Sequence, residues 1–369
     1  MRVTIDAVPL LVRSAGVKNY LYYWIQSLRQ ETRDIDIQLF PLLNQLHRLD
    51  HEGSIADRFT THLRLGMLFV LNRFPNDIAG WMDPETDVFH TCKLLNPPRR
   101  AKLTATIHDL TCWLLPETHL PANVAADKNF ADRILRRADG IIAVSEATRD
   151  DAVRILNIPP ERFRVIHHGV AEEYFQATPA KAEAVRSRHG LKRPYLLFVG
   201  AIEPRKNVKL LLDAYENLPA SIRDEFDLVI AGPPGWAQTE TLARLRQPTR
   251  GIRYLGYVAE RDLPGLFGGA AAFVYPSLYE GFGFPVAQAM AAGTPVITSN
   301  VSALPEIAGG GAMLIDPHSE AELSAAIQEM LTSPSRSSEL IARGHVSAAR
   351  FSWTECARRS LEFFRDVAG

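Results

Sequence analysis

Two short stretches bring together residue types that can hold an anion without a metal. In Phe198-Val-Gly-Ala-Ile-Glu-Pro-Arg-Lys-Asn-Val208, an apolar run delivers Arg205 and Lys206 to a loop just before a helix-like segment. Arginine offers a forked pair of donors and lysine a point charge. In Tyr275-Pro-Ser-Leu-Tyr-Glu-Gly-Phe-Gly-Phe-Pro285, a second apolar run ends at Tyr275, a loop carries Glu280, Gly281 and Gly283, and Pro285 suits the first turn of a helix. The N–H groups of such a turn lack intrahelical acceptors, and a diphosphate is the natural occupant of a glycine-opened helix start. Taken alone, the same residues also fit a tight turn, a solvated acid and a basic pair on a sheet's rim. Asn207 reads as a helix N-cap in either case.

The first half of the chain holds fewer such groups. Ala105-Thr-Ile-His-Asp-Leu110 sets His108 and Asp109 just past the end of an expected strand. A lone histidine is more often a hydrogen-bonding structural residue than a catalyst. Gly16, between the first strand and the first long helix, lets a backbone approach a phosphate or simply makes a loop. His167-His168 precedes Gly169 at a turn and reads as interdomain structure, because no third ligand has metal-site spacing. Asp34-Ile35-Asp36 runs directly into apolar sequence and reads as a strand start, with no loop to present both carboxylates to a metal. No metal is expected. The signatures G-x-G-x-x-G, G-x-x-x-x-G-K-[ST], G-x-S-x-G and H-E-x-x-H are missing, which removes dinucleotide redox, P-loop, hydrolase-elbow and zincin readings.

The elements that must carry these residues follow from hydrophobic periodicity. The second half predicts strands at 195–199, 227–231, 252–255, 271–275 and 295–298, alternating with helices at 207–217, 238–246, 260–268 and 285–292. The first half repeats the rhythm, with strands at 3–8, 35–40, 88–90, 103–107, 140–144 and 163–166 and helices at 17–28, 125–137 and 146–156. Strands alternating with helices imply parallel sheets, hence two Rossmann-like units in series. The polar segment 172–193 shows no strand periodicity and is the expected linker. After Asp316-Pro317 three helical stretches remain. In the last, Ser352 is the expected N-cap, and Trp353, Cys356, Ala357, Leu361 and Phe364 form one apolar face expected to cross back onto the first unit.

The chain's 369 residues suit two domains with separate cores. A net charge of −1, from Lys+Arg 41 against Asp+Glu 42, gives no global field to attract nucleic acid. Three cysteines without C-x-x-C spacing favour a reducing cytosol over a disulfide framework. No signal peptide and no run of about 18 apolar residues is present, so the expected location is cytoplasmic, with contact at the membrane's inner face left open.

The motifs in combination resemble the retaining GT-B glycosyltransferases of the group 1, or GT4, family. The matching stretches are Gly16-Val-Lys-Asn-Tyr20, Ile107-His-Asp109, Val144-Ser-Glu146, His168-Gly-Val170, Val199-Gly-Ala-Ile-Glu-Pro-Arg-Lys-Asn207, the Glu280 loop and Phe351-Ser-Trp353, spread over nearly the whole chain. The resemblance implies an α/β GT-B fold, with two Rossmann-like domains facing across a cleft. Residues 1–170 with 352–369 would form the acceptor domain and 171–351 the nucleotide-sugar donor domain. It implies transfer of a sugar from a nucleotide-diphosphate donor, GDP-mannose for preference, to a hydroxyl of a glycan or lipid-linked acceptor, without metal or other cofactor. His108, Arg205, Lys206 and Glu280 would be catalytic. Gly16, Gly256, Tyr257, Val258, Gly281, Phe282, Gly283, Phe284 and Gln288 would bind the donor. One departure stands out: the family's E-x7-E pair reads here as Glu280 followed by Gln288, an uncharged acceptor for the ribose hydroxyls. Two rival readings are a sugar-nucleotide binder without turnover, which the lost second glutamate favours, and a nucleotide-sugar epimerase on the same fold.

Overall fold

A computed structural model describes residues 1–11, 16–41, 54, 58–73, 77–92, 94–235, 239–247 and 250–369. The first residue of the helix expected at 238–246 therefore lies outside the described residues. The chain divides into two compact units: Met1–Trp113, Pro121–Gly169 and Ser352–Gly369 in one, Leu114–Leu120 and Val170–Phe351 in the other.

The first unit is built on a parallel sheet of β1 (Arg2–Asp6), β2 (Asp36–Phe40), β3 (Val88–Thr91), β4 (Lys102–Ile107), β5 (Gly140–Ala143) and β6 (Phe163–Val165), in the order β2-β1-β3-β4-β5-β6. Helices cover it, so its central strands β3 and β5 are buried at every position. The first strand is shorter than the expected 3–8. Asp6 ends it, because its buried carboxylate accepts from the backbone N–H of Val8 (3.1 Å), Cys92 (3.0 Å) and Leu94 (2.8 Å), and Val8–Leu11 turns into a 3₁₀ helix. The helix expected at 125–137 starts earlier, at Pro121, and finishes as a π turn over Ala131–Leu135. Asp36 does open a strand, and both acids of Asp34-Ile35-Asp36 are engaged in ion pairs, Asp34 with Arg365 (3.1 Å) and Asp36 with Arg2 (2.9 Å).

The helix Trp353–Ala368 packs on Gly16–Glu31 in this unit. Ser352 caps it by accepting from the Glu355 N–H. Trp24, fully buried on the facing helix, donates its indole N–H to Ser360 Oγ at 2.9 Å and stacks on Tyr20 at 5.0 Å. Gly169 lies so close to the backbone of Trp353 that a Cβ there would collide with it.

The second unit has a parallel sheet of β7 (Tyr195–Val199), β8 (Asp227–Ala231), β9 (Ile252–Gly256), β10 (Ala272–Tyr275), β11 (Val296–Ser299) and β12 (Ala312–Ile315), ordered β12-β11-β10-β7-β8-β9. Strand β12 escapes the periodicity reading because it follows three glycines and, at the sheet's edge, leaves Leu314 exposed. The expected linker at 172–193 is instead part of this unit. It forms helices Glu172–Phe175 and Pro179–Arg188, the second capped by Thr178 Oγ1 and buried through Ala182 and Val185. Arg188 and His189 then both bond the buried carboxylate of Asp262, and the unit boundary falls at Gly169-Val170. The segment Leu114–Leu120, read within the first domain, also belongs to the second unit. No helix among the described residues is long and apolar enough to cross a membrane.

The buried Trp24–Ser360 bond gives a direct test of the packing of the last helix. Ser360→Ala leaves the indole N–H without that acceptor and is expected to lower stability by about 1–3 kcal/mol. Urea denaturation reads the loss, and a change of only a few tenths would contradict the assignment.

Candidate active site

Parallel sheets gather side chains at the carboxyl ends of their strands, and in the second unit two adjacent strands do so. Strand β7 leads through Gly200–Glu203 into a 3₁₀ turn, Pro204–Lys206, that carries Arg205 and Lys206. Strand β10, hydrogen-bonded beside β7, ends at Tyr275 and leads into the loop that carries Glu280.

Three hydrogen-bond donors and the Arg205 guanidinium converge on one oxygen of Glu280. Lys206 Nζ lies 2.5 Å from Oε1, Ser277 Oγ 2.7 Å, the Tyr275 hydroxyl 2.9 Å and Arg205 Nη1 2.9 Å. The backbone is clamped too, since the Glu280 N–H donates to Ser302 Oγ at 2.9 Å and its carbonyl accepts from Ala303 N at 3.3 Å. Ser302 holds this position with φ +53°, a strained left-handed conformation for a serine. Arg205 also donates to the Tyr279 carbonyl at 2.7 Å and pairs with Glu203 at 3.5 Å.

The cations are therefore not solvated on an open rim: the Arg205 and Lys206 side chains are each only 11% exposed. Burial works to raise the Glu280 carboxyl, but the charges of Arg205 and Lys206 outweigh it and bring the group down to about 2. Burial, with Arg205 beside it, lowers Lys206. Glu203 is raised by burial despite its pairing with Arg205 and Lys206, and His119, from Leu114–Leu120, also acts on it to lower it. Asn207 stands at the N-cap position but does not cap, because its left-handed backbone (φ 56°) turns its amide to the Pro317 carbonyl, 2.8 Å away.

Beyond Glu280 the loop turns into helix Phe284–Ala291 through Gly283, whose φ of +93° suits glycine and whose Cβ would press on Leu304. Gly281, Phe282 and Gly283 are buried, and Pro285 occupies the first turn. Gln288, on the second turn, is 7% exposed, and its side chain makes no hydrogen bond among the described residues. Gly256, Tyr257 and Val258 lie apart from this cluster, at the end of the edge strand β9, with Tyr257 exposed and Val258 buried.

In the first unit, Gly16 starts a helix and is exposed. His108 follows β4, half-buried, edge-on to Tyr20 at 5.1 Å and 5.8 Å from the ring of His168. His168 is buried against Tyr20, and burial, reinforced by the neighbouring His108 and His167, pushes its imidazole well below the ordinary value, so it stays neutral. Asp109 makes a local turn, its carboxylate accepting from Thr111 N and Oγ1. The motif reading passed over Tyr275, Ser277 and Ser302. The hydroxyl-bearing Tyr275 and Ser277, close before Glu280 where a buried strand ends, were the available signal for the first two.

The clamp predicts a pH signature. A carboxyl held at about 2 against an ordinary 4.5 contributes about 3 kcal/mol of stability. Because the folded value is depressed, this stability is complete above 4.5 and disappears as the pH falls through about 2. Glu280→Gln should be destabilised by a similar amount at pH 7, and its stability should fall less steeply than that of the wild type between pH 4.5 and 2.5. Parallel urea-denaturation curves across that interval would contradict it.

Comparison with known proteins places this geometry in a family. Residues 181–346 match the model of glycosyl transferases group 1, and residues 14–174 match that of glycosyltransferase family 4. The chain is 34% identical to O-antigen chain mannosyltransferase B of Escherichia coli over 99% of its own length and 100% of that protein's. It is 29% identical over 71% of its length to the serotype-specific mannosyltransferase WbdA of E. coli, of which it spans 33%. Among solved structures, sucrose-phosphate synthase from Thermosynechococcus elongatus superposes with a TM-score of 0.76 at 20% identity, covering 100% of this chain and 99% of that one. Anabaena Alr3699/HepE, solved in complex with UDP-glucose, gives 0.71 at 18% identity, with 99% of each chain covered. With a full-length relative at 34% identity and the fold of GT-B enzymes, the chain belongs to the group 1 (GT4) glycosyltransferases.

Proposed function

We propose that the protein transfers mannose, with retention of anomeric configuration and without a metal, from GDP-mannose to a hydroxyl of a growing glycan or lipid-linked acceptor. The observation that carries this reading is the Glu280 cluster beside the start of helix Phe284–Ala291. The mannosyltransferase names of its relatives supply the sugar. A nucleoside diphosphate gains charge as the glycosidic bond breaks. Lys206, Arg205 and the first-turn amides would meet that charge, and stabilising the leaving group supplies the larger part of the rate. Glu280 would accept from the sugar's hydroxyls. His108 would serve as a further contact to the sugar. Gly256, Tyr257 and Val258 would line the base pocket and Gln288 would accept from the ribose. The departing phosphate would take the acceptor's proton. Contact with the inner face of the membrane belongs to the same reading, through the lipid-linked acceptor.

Release of GDP from GDP-mannose, with an acceptor glycan present and EDTA in excess, tests the reading. The wild type should turn over under chelation, and Lys206→Met should be slower by about 10²-fold, the size of one lost charge-stabilising donor. Complete loss with EDTA and rescue by Mn²⁺ would overturn the metal-independent mechanism. Equal rates for wild type and variant would overturn the site.

Gln288 gives a second test. Gln288→Glu places a charged acceptor where the family has one and should tighten GDP by about 1–2 kcal/mol, the gain of a charge-assisted bond over a neutral one. Calorimetry that finds unchanged or weaker binding in a folded variant would show that Gln288 does not meet the ribose.

A further inference from the structure

The last residue of β10 does more than end a strand. Tyr275 is fully buried, with its ring stacked between Phe198 (5.6 Å, 24°) and Phe273 (5.7 Å, 20°). Its backbone is fixed as well, because its carbonyl accepts from Thr298 Oγ1 at 2.9 Å. The hydroxyl this ring holds in place lies 2.6 Å from Lys206 Nζ and 2.9 Å from Glu280 Oε1. Only one polarity satisfies both contacts: the ammonium donates to the phenol oxygen and the phenol donates to the carboxylate. Among the described residues, Lys206 thus spends two of its three N–H bonds, both inside the cluster, and keeps one.

We propose that Tyr275 is a positioning residue, whose hydroxyl ties Lys206 to Glu280 so that the ammonium stays charged and offers its remaining N–H to the diphosphate of the donor. The inference rests on the function proposed above for the site the two residues share. The charged and titratable groups around Lys206 are Arg205, Glu203, Glu280 and Tyr275, with His119 acting on Glu203. Burial and Arg205 disfavour the ammonium, while Glu280 and Glu203 favour it. A neutral hydroxyl that accepts from the ammonium adds to the favouring side without adding charge.

Tyr275→Phe removes the hydroxyl and keeps the ring stack. The Lys206 midpoint, followed by the ¹³Cε shift in lysine-labelled protein and assigned by its absence in Lys206→Met, should fall by about one unit, the weight of one hydrogen bond to a charged group. The kcat for GDP-mannose should fall about tenfold while the donor KM changes less than threefold, because Lys206 acts on charge that develops in the transition state. The melting temperature should move little. Ser277→Ala, which takes a different donor from Glu280 and does not touch Lys206, serves as the control and should leave the midpoint in place. An unmoved midpoint in Tyr275→Phe, an equal shift in Ser277→Ala, or a loss of turnover that only tracks a loss of melting temperature would each overturn the proposal. A lowered midpoint in a protein whose wild type turns over no GDP-, UDP- or ADP-sugar would uphold the tie and overturn the reaction assigned to the site.

Discussion

Glu280 Oε1 is the point on which the second unit's functional edge depends. A carboxylate that is 9% exposed must be paired and hydrogen-bonded to remain charged. Here it is met by an ammonium, a guanidinium and two hydroxyls. Those donors come from the two loops that leave β7 and β10, so the interaction that keeps Glu280 ionised also fixes the distance between them. Withdrawing any one charged partner leaves the others buried without compensation, which costs far more than an exposed pair would. The loop from β10 is then forced into the course that brings Gly283 to a positive φ and starts helix Phe284–Ala291.

This arrangement changes the electrostatics from that of two free cations waiting for phosphate. With Glu203 and Glu280 both close to Arg205 and Lys206, the cluster is near neutrality when both acids are ionised. On the function proposed above, its attraction for a diphosphate would come less from net charge than from preorganised donors in a buried setting, which need little reorganisation when charge develops on the leaving group. It also explains how a cation pair is kept at 11% exposure.

Much of this could be read from residue order. Alternating apolar runs give both parallel sheets, and the cation pair before one helix and the glycine-opened acid loop before another stand out by their types. What escaped was of two kinds. Some elements carry a weak pattern: β12 is a short edge strand behind three glycines, and Pro179–Arg188 presents so polar a surface that only Ala182 and Val185 mark its buried side. Other features arise only through folding, because they join residues far apart in the chain. Nothing in the dipeptide Arg205-Lys206 shows that Glu280 will sit between the two charges. Nor does Tyr275, which looks like the apolar end of a strand, show that its hydroxyl will find Lys206, 69 residues away in the chain. Asn207 is the reverse case, a residue of ideal capping type whose left-handed backbone sends its amide elsewhere.

The central claim is that the Glu280 cluster, through Lys206, Arg205 and the start of helix Phe284–Ala291, receives the donor's diphosphate. A crystal structure of the protein with bound GDP tests this most directly. The account predicts phosphate oxygens within hydrogen-bonding distance of Lys206 Nζ and of the first-turn amides, with Glu280 Oε1 still held by Tyr275 and Ser277. A diphosphate bound away from the ends of β7 and β10, with the cluster untouched, would contradict it.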